Sequence, residues 1–287
     1  MVGPAGPMDK EDAVQVAQYL SERMAGPVGF DVWTRQESGL LRSDRDVCTH
    51  CDDVLELARQ LASLHPAMNI TAYDMEKHAS RAEEAGITLP PITVIRGGGR
   101  SLRLAGLFSG LLFPALLDII WFVSKGETPL PEERRIALAE LPEVDVEVML
   151  APYDPYSAHM ARLVGAFAVE APRMRLQLTE AAEFPVLAGQ RSLTEVPVVS
   201  INGRRFSGAW DDGPLLQQIQ RVIAGNDEAV IRERVLATPF LTEEEAIRRA
   251  REELQREQAA QGGIIAPGGA TGPGGTDSGS GLIVPGR

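Results

Sequence analysis

Cysteine is almost absent from this chain. Among 287 residues there are two, Cys48 and Cys51, inside the stretch DVCTHCDDV, and no third. A structural metal site needs about two ligands beyond such a pair, and the histidines do not supply them. His50, His65, His78 and His159 show no H-x3–5-H spacing. A stapling role is weak too, because closing so short a loop removes little unfolded-state entropy. Dense runs of lysine and arginine are also missing. With a formal net charge of −12 and a pI near 4.9, the chain offers neither phosphate contacts nor a basic footprint, which argues against nucleic acid and anionic membrane as partners. No G-x-S-x-G elbow occurs; GLFSG at 106–110 is the nearest match and lies within an apolar run without a placed base. The glycines at 97–99 stand between two strand-like segments, which makes them a turn and not a phosphate loop.

The N-terminus, MVGPAGPMDKEDAVQ, lacks a basic region followed by an apolar run, so no secretory signal is expected. One apolar run, LAGLFSGLLFPALLDIIWFV at 104–123, has the length of a membrane span. It carries Gly106, Gly110, Pro114 and Asp118, however, and reads as a deeply buried helix. The expected compartment is the cytoplasm, where isolated thiols stay reduced and a disulfide is transient.

What the chain does have is a regular alternation of helix and strand patterns. At 287 residues it exceeds the usual single-domain size, and 44% hydrophobic residues suffice for real cores. Residues 9–25 carry Val14, Ala17, Leu20 and Met24 at helical spacing, and VGFDVWTR at 28–35 alternates as a strand. From Cys51 a helix runs until Pro66 ends it. MNITAYD follows as a strand, 76–85 as a short helix, then ITVI and SLRLA as strands and the apolar run as a helix. The order then repeats. PEERRIALAEL is a helix, VDVEVMLA a strand, 158–169 a helix, RMRLQLT a strand and 181–188 a helix. VPVVSI and RRFSG are joined by the hairpin signal Asn202-Gly203, and 215–223 closes as a helix. This is an α/β layer fold with a mixed sheet in each half. Pro91 lies 43 positions after Cys48, and Pro197 lies 43 after Asp154; both landmarks repeat at an offset of 106, which maps Cys51 onto Ser157. The halves read as a duplication.

A C-x-x-C at a strand-to-helix junction, a proline opening a strand some forty residues later, then a hairpin and a helix, resemble the thioredoxin fold. Two such units in one chain are similar to the tandem-thioredoxin protein disulfide oxidoreductases, also called glutaredoxin-like proteins. The resemblance spans roughly residues 9–225 and includes APYDPYSAHMARLVGAFA, which looks like a second active-site segment with both cysteines gone. It implies two fused thioredoxin-like domains, at 9–126 and 127–225; beyond them, the charged sequence reads as a helical extension at 226–261 and the Gly/Pro-rich composition of 262–287 as a disordered tail.

The resemblance further implies catalysis by thiol–disulfide exchange, with Cys48 as nucleophile and Cys51 as resolving thiol. A helix N-terminus favours a Cys48 thiolate. The intervening Thr49 and His50 tune the poise: a protonated His50 would stabilise that thiolate, while Asp46, Asp52 and Asp53 would oppose it, and the residues leave the sign open. Pro91 and Pro197 are implied to be cis and to shape substrate grooves in which the preceding residue offers its backbone to an extended peptide. Pro90 has no N–H to offer, whereas Val196 does. The first unit thus has thiols with a weakened groove, and the second a groove without thiols, so the second is expected to position a substrate or merely to complete the fold. Implied partners are protein or small-molecule disulfides, with a thioredoxin-reductase-like enzyme or glutathione as electron donor. No organic cofactor is implied, the redox group being the Cys48–Cys51 disulfide itself.

A reading from a different class stays open, that of a redox-sensing or peptide-binding adaptor without turnover. An iron–sulfur cluster shared between subunits through this pair is a minor third reading. The helix TEEEAIRRAREELQREQAA at 242–260 opens with a capping box, Thr242 and Glu245, and has few apolar positions. The tail carries two near copies, GIIAPG at 263–268 and GLIVPG at 281–286, a candidate bivalent ligand or simply biased composition.

Overall fold

The computed structural model describes residues 8–35, 48–231 and 236–262. Asp46 and the tail motifs at 263–268 and 281–286 lie outside the described residues. The chain divides into two units, residues 1–246 and 247–287.

In the first unit, α1 (Lys10–Arg23) starts where the Asp9 carboxylate accepts the amides of Glu11 and Asp12, and its Val16 and Leu20 are buried. Strand β1 (Val28–Thr34) is buried along nearly its whole length, as befits a central strand covered on both faces. After it come α2 (Cys51–Leu64), β2 (Met68–Asp74), α3 (Ala79–Glu84), β3 (Ile92–Gly97), β4 (Arg100–Ala105) and α4 (Leu112–Lys125). The same order of elements then recurs: α5 (Glu132–Ala139), β5 (Val144–Leu150), α6 (Pro155–Glu170), β6 (Met174–Glu180), a 3₁₀ turn (Ala181–Glu183), α7 (Pro185–Gln190), β7 (Glu195–Val196), β8 (Val198–Ile201), β9 (Arg204–Ser207) and α8 (Asp212–Ile223). A short β10 (Thr238–Pro239) and α9 (Glu243–Gly262) follow.

The strands form one eight-stranded mixed sheet, in the order β2-β1-β3-β4-β6-β5-β8-β9. Each half contributes four strands in equivalent order. The join is a parallel pairing of β4 with β6, Leu104 opposite Leu178 and Ala105 opposite Thr179. The two mixed sheets expected from the sequence are therefore continuous. Against the sheet, α4 and α6 pack so closely that a Cβ on Gly165 would stand 2.6 Å from the Ile119 side chain. At the β8–β9 turn Asn202 and Gly203 both have positive φ, as a tight hairpin requires.

Three expectations need correction. The apolar run does not form one helix from residue 104: its first residues complete β4, Gly106 and Gly110 follow with positive φ, and α4 begins only at Leu112. The helix expected at 181–188 is broken after the 3₁₀ turn, because Pro185 cannot sit in a helix interior and instead opens α7. The extension from 226 is not helical throughout. Its described residues before α9 hold the short β10 and no helix, and α9 is preceded by Thr242, whose amide donates to the Glu245 carboxylate at 3.0 Å. No helix among the described residues is long and apolar enough to cross a membrane.

Candidate redox site

Strand β1 delivers Arg35, whose backbone N–H donates to Cys51 Sγ at 3.2 Å. Helix α2 starts at Cys51, so Cys48 and Thr49 precede it and His50 occupies the N-cap. Cys48 and Cys51 are joined in a disulfide, their Cα atoms 5.5 Å apart. Cys51 is 3% exposed while Cys48 is half-buried and Thr49 exposed, so Cys48 is the more exposed residue of the pair. The free amides of the first helical turn favour negative charge beside it. The Pro90–Pro91 bond is cis. Ile92 stands opposite Trp33 in the β1–β3 ladder, which brings Pro91 to the end of the sheet where Arg35 meets Cys51. Both prolines are buried, and Pro91 O accepts the amide of Gly106 at 3.0 Å.

His50 does not point to solvent. Its Nδ1 meets the Asp53 carboxylate at 3.0 Å, and its Nε2 lies 3.1 Å from both oxygens of Glu243. Burial works against the imidazolium, but hydrogen bonds to Asp53 and Glu243, with the Glu183 charge nearby, push its pKa up to about 9. The acidic residues around the motif therefore hold His50 in its cationic form at neutral pH. Behind it lies a pair of glutamates from the second half. Glu180 is 5% exposed, accepts the amides of Ala182 and Glu183 at 2.9 Å each, and is pushed up to about 8 chiefly by burial. Burial likewise pushes Glu183 up to about 7, against the opposing pull of the Leu107 amide, which donates to Oε2 at 2.8 Å. The other oxygen, Oε1, is buried with no hydrogen-bond partner among the described residues. Gly106 is required here, since its φ is +91° and a Cβ would stand 2.8 Å from Glu183 Oε2.

The second half repeats the first with oxygen in place of sulfur. Ala151, just past β5, donates its N–H to Ser157 Oγ at 3.1 Å, as Arg35 donates to Cys51 Sγ. Asp154, in the position of Cys48, is fully buried and caps α6. Its Oδ2 accepts the Ser157 amide at 2.7 Å and the Ser157 hydroxyl at 2.6 Å, and its Oδ1 accepts the Tyr156 amide and the Thr238 hydroxyl, the latter at 2.6 Å. The Val196–Pro197 bond is cis. Val196, whose backbone was expected to be open to a substrate, faces Thr238 of the same chain in an antiparallel ladder.

Of the residues singled out from sequence, Cys48, Cys51, His50, Thr49, Pro90 and Pro91 lie at one site, and Val196 and Pro197 at its thiol-free counterpart. Glu180, Glu183, Glu243 and Thr238 were missed. The first two carry a signal in retrospect: in LTEAAEF two acids sit among apolar residues, an arrangement that burial makes costly without a purpose.

No family model matches the sequence, and neither does any curated protein sequence. Solved structures do resemble the fold. The NTD_N/C domain of the alkylhydroperoxide reductase AhpF from Enterococcus faecalis superposes with a TM-score of 0.64 at 15% identity, over 74% of this chain and 99% of that one. A protein disulfide oxidoreductase from Aeropyrum pernix gives 0.66 at 24% identity, over 76% and 94%. The fold is thus that of two fused thioredoxin-like domains, with a C-x-x-C pair at the head of the first half's α2.

Proposed function

We propose that the protein is a thiol–disulfide oxidoreductase with thioredoxin-like domains at 9–126 and 127–225, derived by duplication, of which only the first does the chemistry. The observation that carries this is the Cys48–Cys51 disulfide itself, with Cys48 half-buried and Cys51 buried at the start of α2. In the reduced form the Cys48 thiolate attacks one sulfur of a substrate disulfide. That bond breaks, the distal sulfur leaves as a thiolate, and Cys48 is left in a mixed disulfide. Cys51, having given up its proton, attacks Cys48 Sγ and expels the second substrate thiolate. The substrate gains two electrons and two protons, and the protein ends with the disulfide observed.

His50, held cationic by Asp53 and Glu243, favours negative charge on Cys48. Glu183, whose carboxyl titrates near neutrality with one oxygen unclaimed, is the candidate reservoir for the Cys51 proton. The substrates are protein or small-molecule disulfides, and electrons return from a thioredoxin-reductase-like enzyme or glutathione in a cytoplasmic setting. The likeness to a protein disulfide oxidoreductase supports the reading through the fold alone.

A redox titration in dithiothreitol or glutathione buffers, counting free thiols, tests it. We expect one reversible two-electron transition. A midpoint near ~−270 mV would mark a reductant, and one nearer ~−180 to −120 mV an oxidant or isomerase. Cys51→Ser should accumulate a mixed disulfide at Cys48, and Cys48→Ser should abolish exchange. A pair that never cycles reversibly would rule the proposal out.

A further inference from the structure

We propose that the thiol-free half is a peptide-binding site which the chain fills with its own residues 236–241, and that the seating of this strap is transmitted to the redox pair through Glu243. The second clause rests on the oxidoreductase reading; the first does not.

The strap is bound in the manner of an added strand. Thr238 stands opposite Val196 and Pro239 opposite Glu195, antiparallel, beside the cis proline. The Phe240 amide donates to Thr194 O at 3.0 Å, and the Ala209 amide to Leu236 O at 2.8 Å. Since Phe240 and Thr194 form a hydrogen-bonded pair, Pro239 falls at the alternate, non-bonded position, where its missing N–H costs nothing. Main-chain bonds of this kind give affinity, and side-chain pockets give selectivity. Two such pockets are present. Thr238 Oγ1 donates to the fully buried Asp154 at 2.6 Å, so a hydroxyl reaches the position that a reactive sulfur would occupy in the other half. Phe240 packs against the cluster of Met149, Ala181 and Val198. The ligand class is therefore an extended segment with a serine or threonine hydroxyl, then proline, then an aromatic residue.

The strap also has a consequence for the first half. Tyr153 Oη accepts the Leu241 amide at 2.6 Å, fixing the strap's end, and the next residues start α9 with Glu243 on His50. Among the described residues, the charged groups facing His50 are Asp53 from α2, Glu243 from α9 and Glu183 from the 3₁₀ turn. Only Glu243 arrives by way of the strap. Release would withdraw that carboxylate and leave the imidazole with a lower affinity for its proton, so Cys48 would face a differently charged neighbour.

The test uses the oxidised full-length protein in four forms: wild type, Thr238→Val/Phe240→Ala, Glu243→Gln, and a variant with Gly-Ser-Gly-Ser inserted between Leu241 and Thr242. Amide exchange at Ala209 reports seating, NMR titration reports His50, and a synthetic LATPFL peptide probes the site. A free peptide competes poorly with a tethered strap, whose effective concentration is on the order of millimolar, so it is added to the double variant. In wild type the Ala209 amide should be protected. In the double variant protection should fall at least ~10-fold, the His50 midpoint should drop from about 9 toward its ordinary ~6.5, and LATPFL should restore protection without restoring the midpoint. Glu243→Gln and the insertion should lower the midpoint while Ala209 stays protected.

An unprotected Ala209 in wild type, or LATPFL binding no better than a scrambled peptide, overturns the peptide site. A wild-type His50 midpoint in the insertion variant overturns the coupling. If the double variant does not fold, Thr238→Val alone replaces it. Failure of the oxidoreductase reading would appear separately, as the lack of a reversible dithiol in every form.

Discussion

A backbone N–H leaving the end of a buried strand has to find an acceptor, and the two halves answer with different atoms. At Arg35 the acceptor is Cys51 Sγ, and at Ala151 it is Ser157 Oγ. Serine is the closest isostere of cysteine that keeps this bond while discarding the redox chemistry, and Asp154 then uses the lone pairs that a thiolate would have offered to the helix amides. Ser157→Ala should therefore leave the Ala151 N–H buried and unpaired and remove one donor from Asp154, at a cost of about 1–3 kcal/mol in urea denaturation. Ser157→Cys should cost less, since a sulfur already serves at the equivalent position of the first half. Equal losses for the two would show that the bond to Ala151 contributes nothing. The C-x-x-C motif and its proline were readable in the sequence because both are local. The sign of the charge at His50 was not, because it depends on Glu243, which comes from the far end of the chain.

Most elements followed from their own periodicity. MNITAYD became β2 residue for residue, and VGFDVWTR became β1 except for its last residue, Arg35. Periodicity failed where one residue or a long-range partner decided. Pro185 broke a continuous apolar pattern into a turn and a helix. Strand β10 is two residues long, has no period to detect, and exists because the edge at Glu195 and Val196 accepts it. Gly165 is a third case, since glycine in mid-helix reads as a weakness, yet α4 approaches where its side chain would be. Gly165→Ala gains helix propensity of about 1 kcal/mol but drives a methyl into Ile119, an overpacking that typically costs about 1–3 kcal/mol. We expect net destabilisation, seen as a lowered thermal midpoint, and recovery when Ile119→Val is added. A more stable single variant would show that α4 and α6 can separate freely.

For the molecule as a whole, fusing the two halves through β4 and β6 places acids of one half beside the redox motif of the other, and this makes stability depend on pH in a defined direction. Glu180 and Glu183 titrate at about 8 and 7 in the folded state, against 4.5 for an ordinary glutamate, and His50 at about 9 against 6.5. Each raised pKa means that the folded chain holds a proton which the unfolded chain has released. Unfolding then releases protons, so stability must fall as pH rises. The glutamate contribution is fully present below 4.5 and lost as pH rises through 7 and 8, and the His50 contribution is present below 6.5 and lost through 9. Groups with lowered values act the other way: Asp145, held down by Arg175, contributes above its ordinary 3.8 and is lost toward acid. The optimum should therefore lie on the acidic side of neutrality, near pH ~5, with a steady decline to pH ~9. Urea denaturation of the oxidised protein across that range should show the decline, and Glu180→Gln, which cannot ionise, should flatten its middle portion. A stability profile that rises from pH 5 to pH 8 would mean that the glutamate pair keeps ordinary carboxyl affinities in the folded protein, and Glu183 would then be too weak a base to take up the Cys51 proton efficiently.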